Sequence, residues 1–182
     1  MTTPTRAYQD PTGRREPAMN HQSRQSNGGR PVGSETRPAR IFAQRITHSP
    51  EETISFGREL ANEVRPPCLV LLEGELGSGK TTLVKGIVAG LASTPEDEVT
   101  SPSFTLVHEF GADGRIYHVD LYRVEGERDL ATLGLDDLLC RDATVLIEWG
   151  ERFGEDVPWP CVRIRFEHLG REERRITVER LT

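Results

Sequence analysis

The chain predicts an α/β fold, a mostly parallel central sheet flanked by helices with antiparallel strands at its edges. Three observations carry that expectation. Cys68-Leu69-Val70-Leu71-Leu72 is an unbroken apolar run, as expected of a strand buried on both faces. It leads through a glycine-rich turn into a segment where Leu83, Val84, Ile87, Val88 and Leu91 recur at helical spacing. A second apolar run, Thr144-Val145-Leu146-Ile147, and an alternating C-terminal segment on both sides of Gly170 supply further strands.

Residues 1–40 hold seven Arg against three acids, with five Pro and four Gly among many small polar residues. They read as a disordered, basic N-terminal extension, without the apolar centre of a secretory signal. Residues 41–182 then form one domain. Ile41 to Thr47 suggest a first strand. Ser49-Pro50-Glu51-Glu52 resembles a helix start, with Ser49 as N-cap, Pro50 in the first position and Glu52 completing a capping box. Ile54, Phe56, Leu60 and Val64 give that helix an apolar side, and Pro66-Pro67 ends it before the apolar strand. Residues 93–98 form a loop. Val99 to Phe110 begin polar and become a strand, Gly111 to Gly114 are a hairpin turn, and Arg115 to Val124 return as a strand ending near Asp120. Leu130, Leu133, Leu135, Leu138 and Leu139, interrupted by Gly134, read as two short helical pieces. Ala143 to Arg152 hold a buried strand closing on Glu148. In the last segment Val162, Ile164 and Phe166 face one way and Ile176 and Val178 answer them, an antiparallel hairpin at the sheet edge.

Charge narrows the function classes. The 41–182 body has a net charge of −10 against +4 for the extension, together the −6 of the whole chain. An acidic body is a poor general binder of nucleic acid. The three cysteines, Cys68, Cys140 and Cys161, are isolated, so neither a disulfide framework nor a zinc site is expected, and Cys68 and Cys161 fit small core positions at strand starts. No apolar run is long enough for a transmembrane helix, and a cytoplasmic setting is expected.

The glycine turn carries the chemistry. Gly74-Glu75-Leu76-Gly77-Ser78-Gly79-Lys80-Thr81 fits G-x-x-x-x-G-K-[ST] at every fixed position. Strand, loop and helix make this a P-loop NTPase fold. Leu76, Gly77, Ser78, Gly79, Lys80 and Thr81 would surround the phosphates of ATP. Backbone N–H groups and the helix N-terminus favour the anion, Lys80 reaches the terminal phosphates, and the Thr81 hydroxyl can ligate Mg²⁺. A P-loop also needs an acid at the end of a neighbouring buried strand. Glu148 takes that metal-holding role, and Asp120 either faces the γ-phosphate or positions the attacking water. Lys80, Asp120 and Glu148 are thus the catalytic candidates. His118 reads as a structural histidine, and Trp149 either packs over the site or a partner, or fills the core. The only asparagines are Asn20, Asn27 and Asn62, so an N-K-x-D guanine-reading motif is absent and ATP is favoured over GTP. Arg123, Arg128 and Arg141 are available for a kinase lid, so a small-molecule kinase and a non-catalytic ATP-binding scaffold stay open.

Four stretches together, Gly74 to Leu83, Val99 to Val107, His118 to Arg123 and Ile147 to Arg152, resemble the TsaE family, also called YjeE, over residues 46–180. The chain departs from the usual pattern at Glu75, Ser78 and Ser103, where the family often has Asp, Ala and Thr. The resemblance implies an ATPase of bacterial tRNA N6-threonylcarbamoyladenosine (t6A) synthesis. It implies work with a TsaB–TsaD pair, with hydrolysis resetting the complex and tRNA met only through it. By the same resemblance, Thr81 and Glu148 hold Mg²⁺ and Asp120 serves hydrolysis. Ser101, Pro102, Ser103 and Phe104 form a switch-like loop facing the γ-phosphate and the partner, with Trp149 beside it. Ile46 and Gly170 flank the adenine.

Overall fold

The structure, a computed structural model, describes residues 39–124, 126, 134, 137–138, 142–153, 157 and 160–181. Its elements are β1 (Ala39–Thr47), α1 (Pro50–Leu60), β2 (Cys68–Glu73), α2 (Lys80–Ala92), β3 (Val107–Phe110), β4 (Ile116–Asp120), β5 (Thr144–Glu148), β6 (Cys161–His168) and β7 (Arg174–Leu181). Single turns of 3-10 helix lie at Glu96–Glu98 and Gly150–Phe153. The basic extension, apart from its last residues in β1, lies outside the described residues. So do most of the two helical pieces expected between 127 and 139, of which Asp137 and Leu138 are helical.

Among the described residues one sheet of seven strands runs β1-β7-β6-β2-β5-β4-β3. The four central strands, β6, β2, β5 and β4, are mutually parallel, while β3, β7 and β1 join antiparallel. The predicted sheet is therefore present, with one correction. The β6–β7 hairpin is not at the edge: β6 pairs with β2, and β1 caps β7 with Ile46 opposite Arg175. The hairpin's two strands are indeed apolar on the shared side, with Ile164 opposite Val178 and Phe166 opposite Ile176. That apolar pattern could not reveal the cross-sheet partner of β7, which lies far away in sequence.

Alternation along β2 explains why its run has no polar residue. Val70 and Leu72 enter one core with Phe56, Leu60, Leu83, Val84 and Ile87 of the two helices. Leu69 and Leu71 enter the core on the other face, with Val119, Val145 and Ile147. At the crossing of the helices, Gly57 and Gly86 meet backbone to backbone. A Cβ on either would stand 2.9 Å from the Cα of the other, so the two helices approach more closely than any side chain would allow.

Helix α1 starts as its sequence predicts, with a shift in the reciprocal bond. The Glu52 N–H donates to Ser49 Oγ at 3.2 Å, but the Glu52 carboxylate accepts from the backbone N–H of His48 (2.8 Å) instead of that of Ser49. That bond, followed by the one to the His48 ring, holds the Glu52 carboxyl below its ordinary value of 4.5. The helix also ends earlier than expected. Val64 is fully buried but lies in the turn after Leu60, where its carbonyl accepts from Thr144 Oγ1 at 2.8 Å. Cys68 and Cys161 open β2 and β6 and neither forms a disulfide. Burial pushes the Cys68 thiol up to about 11, which leaves it a protonated core residue. Among the described residues no helix is long and apolar enough to cross a membrane.

Candidate active site

Strand β2 delivers the chain into the glycine loop, and α2 begins directly at Lys80. Gly79 caps that helix in the left-handed region, at φ +102°, and Gly77 sits at φ +77°. Both conformations are strained for a side-chain-bearing residue, so the motif's glycines are a backbone requirement here. The loop borders a cavity of about 380 Å³. Gly77 to Thr82 line it together with Ser101, Ser103, Asp120, Glu148 and Trp149, and so do Leu76, Tyr122 and Arg123. The structure thus brings together Leu76 to Thr81, both predicted acids, both serines of the predicted switch loop and Trp149.

Lys80 is held from three sides. Its Nζ donates to the carbonyls of Gly74 (2.7 Å) and Glu75 (3.0 Å) and stands 3.9 Å from the centre of the Trp149 ring. Burial lowers its pKa from the ordinary 10.5, while Glu148, Glu151 and Asp120 oppose the shift. Trp149 reaches this position through a left-handed backbone, φ +64°. Such a conformation is uncommon for a bulky residue and clusters at functional sites. The ring also packs on Tyr122, with centroids 5.0 Å apart.

The two acids end adjacent parallel strands in register, Asp120 of β4 opposite Glu148 of β5. Both are almost fully buried. Glu148 Oε1 accepts from the Thr81 hydroxyl at 2.7 Å and lies 2.9 Å from Nε2 of His118. Asp120 has a different set of partners. Its Oδ2 accepts from the Ser101 hydroxyl and from the Ser103 hydroxyl (3.2 Å), and its Oδ1 accepts from the Tyr122 N–H (2.8 Å). Backbone bonds fold the same loop over β4, from Leu106 N–H to the Pro102 carbonyl (2.7 Å) and from Asp120 N–H to the Leu106 carbonyl (3.1 Å). Pro102 is buried in this turn, whereas Phe104 is 85% exposed, with the Arg123 guanidinium 4.5 Å from its ring centre.

Ile46 and Gly170 do not line the cavity. Ile46 is exposed on β1, and Gly170 belongs to the β6–β7 turn, its N–H bonded to the Glu173 carbonyl. The neighbour of the loop on that side is Arg174, opposite Thr47 in the β1–β7 ladder, whose side chain a Cβ on Gly79 would meet at 3.5 Å. Sequence reasoning does not single out His118, Tyr122 or Arg174 as site residues, and it names Arg123 only as available to a kinase lid. For His118 the signal is present: it stands two residues before Asp120 on one strand, hence on the same face. Arg152 is missed as well; it donates to the carbonyls of Val124 (2.9 Å) and Tyr122 (3.1 Å) and ties the two acid-bearing segments together.

The donors fit a hard cation and a polyphosphate. Thr81 and Glu148 offer neighbouring hard oxygens. Such a pair would suit Mg²⁺ if water and phosphate oxygens completed its shell. Buried parallel strand, glycine loop, capped helix and apposed strand-end carboxylate place the molecule in the P-loop class of α/β proteins.

The comparisons narrow the class. The family model described as "Threonylcarbamoyl adenosine biosynthesis protein TsaE" matches residues 47–176. The chain is 38% identical over 133 residues to the tRNA threonylcarbamoyladenosine biosynthesis protein TsaE of Bacillus subtilis, covering 72% of this chain and 81% of that protein. It is 32% identical to the protein of the same name from Treponema pallidum, covering 73% of this chain and 97% of the relative. A crystal structure of Bacillus subtilis YdiB superposes with a TM-score of 0.61 at 31% identity, over 79% of this chain and 88% of that one. The chain belongs to the TsaE family.

Proposed function

We propose that the protein binds and hydrolyses ATP with Mg²⁺ as the nucleotide-driven component of tRNA t6A formation. It works in the cytoplasm with a TsaB–TsaD pair and meets tRNA only through that complex. The pathway follows from the names of its relatives. The observation that carries the switch is the pairing of Asp120 with both Ser101 and Ser103, inside the cavity that the glycine loop lines. The surface loop and the acid assigned to hydrolysis are thereby one unit.

The geometry supports the following roles. The loop N–H groups and the α2 N-terminus bind the phosphate anion. Lys80 exchanges its bonds to the Gly74 and Glu75 carbonyls for terminal phosphate oxygens and neutralises them. Thr81 and Glu148 would hold Mg²⁺, which when bound offsets charge on the phosphate oxygens. Asp120 orients the attacking water once the serine hydroxyls release its Oδ2. That exchange couples the γ-phosphate site to the position of the Ser101–Phe104 loop, which a partner reads through exposed Phe104.

The test is ATP hydrolysis by the purified protein with and without the TsaB–TsaD pair. Release of free phosphate that depends on the pair is expected. Identical rates with and without it would sink the switch, and phosphate found on an acceptor other than water would point to a kinase.

A further inference from the structure

His118 is fully buried on β4, two residues before Asp120. Its Nε2 lies 2.9 Å from Glu148 Oε1, while its Nδ1 is buried with no hydrogen-bond partner among the described residues. A histidine retained only to complete the fold would be expected to bond through both nitrogens, because an unsatisfied buried nitrogen loses its hydration without return. Here the ring's hydrogen bonding is directed at one carboxylate oxygen. A carboxylate that holds a cation is ionised and only accepts, which assigns the hydrogen to Nε2 in the metal-holding state.

Two donors therefore converge on Glu148 Oε1, His118 from one side and the Thr81 hydroxyl from another. Thr81 spends its hydrogen on that bond, which turns its lone pairs away from Glu148. The arrangement holds only while the carboxylate keeps its rotamer, and Thr81 alone would give it a single hydrogen-bond tether. We propose that His118 is a positioning residue for Glu148, fixing the carboxylate so that Thr81 and Glu148 together present their oxygens to a divalent cation. Partners in the shell behind a metal's ligands act in this way on affinity. The proposal rests on the nucleotide and Mg²⁺ reading of the site.

The experiment is ADP binding, followed by tryptophan fluorescence, first with a chelator and then along an MgCl₂ series. The proteins are the wild type, His118→Leu and His118→Gln. Gln places an amide N–H close to the position of the imidazole Nε2–H; Leu has no donor. His118→Leu should bind ADP in chelator like the wild type, yet need about tenfold more Mg²⁺ to reach half of the Mg²⁺-dependent gain in affinity. His118→Gln should recover most of that shift. Should His118→Leu fail to fold, His118→Asn, whose amide stops short of Glu148, replaces it in the comparison. Equal Mg²⁺ requirements in all proteins, or equal weakening with and without Mg²⁺, would overturn the role of His118. A wild type whose ADP binding ignores Mg²⁺ would instead overturn the underlying metal reading.

Discussion

Replacing Glu148 with Gln separates the charge of this side chain from its shape. The carbonyl oxygen of Gln can take the place of Oε1 and accept both the Thr81 hydroxyl (2.7 Å) and the His118 Nε2–H (2.9 Å). What is lost is charge assistance, about 1 kcal/mol per bond from the difference between charged and neutral hydrogen bonds. Against this, a carboxylate only 3% exposed no longer has to be desolvated, a gain of comparable or larger size. The two effects oppose, so stability in urea should change by no more than about 1–2 kcal/mol. Glu148→Ala keeps neither acceptor and opens a cavity, and should cost about 3–5 kcal/mol, since two donors are left unsatisfied at about 1–3 kcal/mol each. Divalent-dependent nucleotide affinity should fall about 10–100-fold in Glu148→Gln. The assays are urea unfolding and nucleotide titration at several Mg²⁺ concentrations. Glu148→Gln as unstable as Glu148→Ala, or a Mg²⁺ dependence equal to wild type, would refute the reasoning.

Three further outcomes are expected. Lys80→Ala should lose nucleotide binding by at least about 10-fold, since a charge-assisted phosphate contact is worth about 1.5–3 kcal/mol, and calorimetric titration checks it. Glu52→Gln should flatten the acid side of the stability curve. The folded pKa of Glu52 lies below its unfolded 4.5, so its contribution is present above 4.5 and lost as pH falls through the lowered value. Urea midpoints taken from neutral pH into acid would show whether the two proteins converge there. Gly86→Ala should destabilise by about 1–3 kcal/mol, because overpacking at the Gly57 backbone outweighs about 1 kcal/mol of gained helix propensity. A rise in the unfolding midpoint would contradict that.

What is legible in the sequence is contiguous. The glycine loop and its flanks are read from one stretch of chain, because the residues that set its backbone path lie within it. Glu148 is legible because a charge closing a wholly apolar strand must be held by something, and a P-loop in the same chain needs such an acid. Asp120 is found with its role open, and its bonds to Ser101 and Ser103 show why alternation alone could not decide: its partners come from a loop some twenty residues upstream. The neighbourhood of Ile46 and Gly170 is harder still. It depends on β1 adding to β7, a pairing between segments at opposite ends of the domain. His118 reads as inert because a buried histidine has many uses, and only the register of β4 against β5 brings it to Glu148.

The backbone contact of Gly57 with Gly86 constrains how this molecule can vary. The atoms in the way of a larger residue at either position belong to the main chain, so no second substitution can trim them to make room. Accommodation would have to come from displacing a helix. Helix α2 carries Gly79 at its cap and Lys80 and Thr81 in its first turn, so any such displacement would be felt at the proposed phosphate site. A crossing that looks like ordinary packing thus has the genetic behaviour of an active-site position. Variants there should be rescued by changes that reseat the loop, and not by changes that merely restore stability.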